Sequence, residues 1–159
     1  MTEILQWVTY TASHGFGLHD LGLAVVRVAV GVFFAISGYH KLFNRDRHAR
    51  LVGTLISNKI PCVGFMCWWV PFWEFVGGLM LAVGLLTAFS AGVLLIICLV
   101  ACRVEAPKKV AAFHPIDRAD VLDDYLYLPE VLYIVMLLVT LLAGTGAYSV
   151  DALIWPLKG

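Results

Sequence analysis

The sequence predicts an all-α membrane protein, a four-transmembrane-helix bundle with a short interfacial amphipathic helix between helices 1 and 2. Three observations carry that expectation. Apolar residues make up 61% of the 159 positions and mean hydropathy is +0.88, whereas soluble domains run at about 45–50% apolar. These residues gather into four runs, most of them near the roughly 20 residues that cross a bilayer. Between the runs lie either tight turns or charged segments. No sequence period of about 20–50 residues repeats, so one membrane domain over 1–159 is expected, with spans at about 21–43, 66–86, 89–104 and 126–143. The formal net charge is zero, which leaves no basic stripe for nucleic acid. No Lys or Arg precedes Arg27, so the basic start of a secretory signal peptide is missing.

Residues 1–20 hold Trp7, Tyr10, His14 and His19 and few charges, a composition suited to the membrane surface. In the first span Arg27, Gly31, Ala35, Gly38 and Lys41 recur at steps of three or four, which places them on one helix face. Small residues on such a face let a second helix approach closely. Residues 44–65 mix Arg45, Arg47, Arg50 and Lys59 with a stripe of Leu51, Val52, Leu55, Ile56 and Ile60. That pattern predicts an amphipathic helix in the interface, ended by Pro61. The second span opens on Trp68, Trp69 and Trp73, the ring type that anchors at headgroup level. Glu74, Gly78 and Ala82 share one of its faces. The turn at Leu86–Ala88 is so short that the third helix must run antiparallel to the second. Residues 105–125 read as a polar loop, with Asp123 or Asp124 capping a fourth helix that carries Pro129 in its first turn. Nine of the eleven Lys and Arg lie between Lys41 and Arg118, in or beside the first and third connections. The positive-inside rule therefore puts those connections in the cytoplasm.

An acid inside a span costs roughly 2.5–3.5 kcal/mol on insertion scales, so Glu74 needs a protein partner. Six residues inside the tryptophan-rich end, it lies about 9 Å deep, near His40 and Lys41 of the first helix and Glu130 and Tyr133 of the fourth. Such a cluster suits a quinone headgroup, whose carbonyl oxygens need donors and a titratable acid. The same residues could instead lock the helices together. Glu74 and Glu130 are the candidate catalytic acids, with His40, Lys41, Tyr133 and Trp73 the candidate ligand contacts. Arg27 lies towards the other face, where an ion pair with Asp151 would satisfy it. Cys62, Cys67, Cys98 and Cys102 map to one membrane half; they are either redox thiols or small apolar residues. No zinc spacing and no pair of histidines for haem is visible.

Three motifs resemble one family. R27-V-A-V-G-V-F-F-A-I-S-G38-Y-H-K41-L, E74-F-V-G-G-L-M-L-A-V-G84-L-L-T87 and G144-T-G-A-Y-S-V-D151 are similar to the opening helix, the most recognisable segment and the closing signature of the DoxX family. The resemblance covers about Leu21 to Leu153. It implies a multi-pass protein of a bacterial or archaeal inner membrane, tied to the quinone pool through thiosulfate, sulfur or oxidative-stress redox chemistry. It equally implies soluble redox or sulfurtransferase enzymes as partners, so a non-catalytic anchor for such an enzyme is the rival expectation. Self-association as a homo-oligomer is left open.

Overall fold

Seven helices account for nearly all of residues 18–113 and 118–154, which the computed structural model describes. They are α1 (His19–Phe43), α2 (Arg45–Ser57), α3 (Val63–Val83), α4 (Thr87–Phe113), α5 (Arg118–Leu126), α6 (Pro129–Ala143) and α7 (Val150–Ile154). The readings made for residues 1–17, His14 included, and for His114 lie outside the described residues. Helices α1, α3 and α4 are long and apolar enough to cross a membrane. The apolar α6 has 15 residues, about 22 Å of helix. Packing runs from α1 to α3, α3 to α4 and α4 to α6, and closes with α6 against α1. Val30, Phe34, Leu81, Ala91, Leu94, Cys98 and Leu137 form the common core.

Glycine sets the closest approach. The α1 face foreseen from its spacing is the buried one: Arg27, Gly31, Ala35 and Gly38 all lie against neighbours. A Cβ on Gly31 would stand 2.5 Å from the Ala82 amide nitrogen, and one on Gly78 2.5 Å from that of Ala35. A Cβ on Gly38 would come 2.7 Å from the Pro71 carbonyl. Residue numbers rise along α1 as they fall along α3 through these contacts, so the two helices are antiparallel. With little hydrophobic drive between helices in lipid, such backbone contact is a main source of cohesion. The α3–α4 turn relies on Gly84 at φ +74°, a left-handed cap where glycine carries no steric penalty.

Sequence and structure part company after Val104. The polar loop expected at 105–125 is largely helical: α4 runs on to Phe113, and α5 follows. Glu105, Ala106, Lys108, Lys109, Ala111 and Ala112 are strong helix formers. Glu105 pairs with Lys109 one turn on at 3.2 Å, and Ala106 and Val110 bury against Leu128. Pro107 removes one amide from the ladder without ending the helix. The fourth apolar helix starts at Pro129, not 126, and Leu128 rather than Asp123 or Asp124 precedes it, with no side-chain cap. Its proline occupies the first-turn position where the missing N–H is harmless. Helix α2 ends at Ser57, ahead of Pro61, with Asn58 as its C-cap.

Candidate functional site

Lys41 and Glu74 meet where α1 crosses α3. The ammonium nitrogen lies 2.7 Å and 2.6 Å from the two Glu74 carboxylate oxygens, and the Ser37 hydroxyl reaches one of them at 3.5 Å. Their side chains are 29% and 7% exposed respectively, so the acid is buried and the lysine enters from the rim. An ammonium has three N–H donors; with two on Glu74, one remains for another acceptor.

Beside this pair opens a cavity of about 410 Å³, within the range of roughly 300–1,000 Å³ usual for small-molecule sites. Leu51, Leu55 and Ile60 wall it on the α2 side, Met66, Trp69 and Val70 on α3, and Ile96, Ile97, Val100 and Val104 on α4. Lys41, Glu74, Thr54 and Glu105 are its polar contributors. Leu51 and Leu55, one turn apart on α2, thus face the cavity. His48 holds α2 in place: its Nδ1 lies 3.1 Å from the Lys41 carbonyl and its ring 4.6 Å from that of Trp68.

The other expected members of the cluster lie apart. Glu130 pairs with Lys109, not Lys41. Depth along each helix was estimated from residue counts, and the α4 extension supplies a nearer cation. Tyr133 stacks on Phe33 at 4.1 Å, His40 is exposed beside Tyr39, and Trp73 packs edge-on to Trp69 and Phe89. None of the four is among the residues lining the cavity. Trp69, Thr54 and Glu105 were not foreseen as site residues. The Glu105–Lys109 spacing, acid before base at i,i+4, was the available signal for the last. Cys62, Cys67, Cys98 and Cys102 are free thiols, with Cys67 and Cys98 buried. Among the described residues no group of His, Cys, Asp and Glu gathers as a metal site would.

At the opposite end Arg27 and Asp151 do not form the expected ion pair. The buried Arg27 guanidinium donates to the Thr145 and Tyr148 carbonyls. Asp151 instead accepts the Leu86 and Thr87 amides at 2.7 and 2.8 Å, capping α4 from 64 residues away, while its own amide reaches the Gly84 carbonyl at 2.9 Å. Backbone groups left free by the α3–α4 turn and the 144–149 segment outcompete the side-chain pairing, because each must be satisfied once water is excluded. Burial by itself would raise the Asp151 carboxyl; the Thr87 and Leu86 hydrogen bonds and the nearby Arg27 charge outweigh it and hold it below the usual carboxylate range. A depressed folded-state value means the stabilisation is full above the unfolded value, about 3.9, and is lost as pH falls through the folded one. Asp151→Ala is expected to lower stability by about 1–2 kcal/mol at neutral pH, measured by thermal unfolding in detergent. The gap from wild type should close as the pH drops below about 4.

Comparison with known proteins adds one finding. The DoxX family model matches residues 22–107, which take in α1, α2, α3, the cavity and most of α4. No curated protein and no solved structure matches the chain. A match over more than half the length, on the same helices that hold the glycine seam and the Lys41–Glu74 pair, settles the lineage: this chain belongs to the DoxX family and is an integral, multi-pass membrane protein.

Proposed function

We propose that this protein is a redox-associated subunit of an inner membrane that engages the quinone pool through the α2–α3–α4 cavity. The observation that supports it most is a largely apolar cavity with the Lys41–Glu74 ammonium–carboxylate pair in its wall. Apolar walls suit a prenylated ring, and the remaining Lys41 N–H suits a carbonyl oxygen. A bound quinone would supply two-electron, two-proton carrier chemistry; Lys41 would orient it, and Leu51, Leu55 and Trp69 would exclude water. In this reading α6 is a fourth, short span, and α2 lies in the interface with Arg45, Arg47 and Arg50 outward on the cytoplasmic side. All three arginines are exposed.

Those arginines favour the second reading, a membrane anchor that docks a soluble redox or sulfurtransferase enzyme through charge. The two separate cleanly. Purified protein in detergent should retain quinone, or bind added short-chain benzoquinone. Lys41→Met should weaken that binding about tenfold to a hundredfold, the worth of a hydrogen bond to a charged group. Unchanged affinity in Lys41→Met would sink the quinone site. Release of a co-purifying enzyme by charge reversal at Arg45, Arg47 and Arg50, with no quinone bound, would establish the anchor.

A further inference from the structure

We propose that Glu105 exchanges protons between the cavity and external water, and that Lys109 and Glu130 position it for that task. The proposal rests on the quinone-site reading above and deepens it.

Of the two acids that line the cavity, Glu105 is the one that also reaches water. It lines the cavity, yet its side chain is 37% exposed. Glu74, the other cavity acid, is 7% exposed and held on both oxygens by Lys41. That pair balances its own charge and its acid is shielded from water; it can hold a ligand, but its carboxylate has no ready means of renewing a proton.

The surroundings of Glu105 differ in charge count. Lys109 lies 3.2 Å from its Oε2 and also bonds Glu130 Oε1, so one cation serves two carboxylates. Glu130 Oε2 is buried and has no hydrogen-bond partner. Other titratable groups near this array are Lys41 and Glu74 across the cavity, Tyr133 and Cys98 on the Glu130 side, and Tyr125 of α5, packed near Ala106 and Val110; Lys108 is turned away to Asn58. Of these groups Glu105 stands at the cavity rim, where its carboxyl can meet both water and a molecule in the cavity.

The step is a proton transfer alone. The O–H bond of a protonated Glu105 breaks and its proton passes to a ring oxygen of the quinone as that ring gains one electron from a soluble reduced flavin. The carboxylate takes a new proton from water, and a second such cycle delivers the second electron and proton of the quinol. Lys109 keeps the carboxylate at the rim, and Glu130 holds Lys109.

The test uses the full chain in nanodiscs loaded with a short-chain benzoquinone. Its first readout is infrared: electrochemical reduction of the bound quinone should change a carboxyl C=O band. That change should vanish in Glu105→Gln and persist in Glu105→Asp. Its second readout is proton uptake, followed with a pH dye after reduction by reduced flavin. Uptake should slow about 100-fold in Glu105→Gln, the scale of one general acid. In Glu130→Gln the infrared change should persist while uptake slows, because Lys109 loses the carboxylate that holds it, and Glu130→Asp should restore the rate. If Glu105→Gln binds quinone and keeps both the wild-type band and the wild-type uptake rate, the proton role is overturned and the cavity reading survives. If wild-type protein binds no benzoquinone, both fall, and that result is visible before any Glu105 variant is compared.

Discussion

Gly78→Ala is expected to destabilise the protein by about 3 kcal/mol, at the upper end of overpacking costs, whereas Gly77→Ala next to it is expected to be tolerated. The same single carbon is added to the same helix in both cases. At Gly78 it would lie 2.5 Å from the Ala35 amide nitrogen and 2.7 Å from the Gly31 carbonyl. Those are backbone atoms of α1, and they cannot swing aside as a side chain can, so the whole helix must retreat. At Gly77 the nearest atoms belong to the Leu94 side chain at 3.5 Å, an ordinary contact distance. There alanine also gains about 0.5–1 kcal/mol of helix propensity over glycine. Gly31→Ala, with the Ala82 nitrogen at 2.5 Å, should behave like Gly78→Ala. The effect should also travel, since separating α1 from α3 pulls Lys41 from Glu74. Resistance to unfolding in mixed detergent micelles measures the difference; equal stability of Gly77→Ala and Gly78→Ala would remove the close seam from the account of this fold.

That seam was legible because period and residue size are both written in the sequence. Small residues at steps of three and four on α1 had to face something close, and Gly78 and Ala82 offered the matching face. The Lys41–Glu74 pairing was legible for the same reason, since a buried acid narrows its own choice of partner. What escaped was anything decided by backbone demand or by helix length. Arg27 and Asp151 look like an ion pair to anyone counting charges, but free carbonyls and amides at the turns cannot be seen in a list of side chains. Glu130 lies outside the expected cluster because residues 105–113, a loop by their polarity, are helical and carry Lys109. Polarity there marks a helix leaving the apolar layer, and the α4 extension brings Lys109 within reach. Helix α2 was recognised as amphipathic, but a stripe of leucines does not say whether it faces lipid, protein or a cavity. The cavity itself is walled by residues of several separate helices, and no sequence period encodes the space left between helices.

The Lys41–Glu74 pair is where structural and functional roles can be pulled apart. Lys41→Met alone should cost about 3–5 kcal/mol, because it leaves a buried carboxylate without its counter-charge. Glu74→Met should cost less, since the lysine side chain is 29% exposed and can extend its ammonium towards the headgroups. The double variant Lys41→Met with Glu74→Met should recover most of the loss, as buried pairs replaced by apolar residues of similar volume often do. Thermal unfolding of the four proteins in detergent gives the coupling directly. Benzoquinone binding to the same four then decides the role. A pair that only holds α1 to α3 would return both stability and binding in the double variant. A pair that also receives a ligand would return stability and leave the cavity unable to hold the ring, because no methionine can donate to a carbonyl oxygen. We expect the second outcome, for a physical reason. Lys41 fills two of its three donors on Glu74, and the third N–H, at the cavity wall, is left to bond a ligand oxygen.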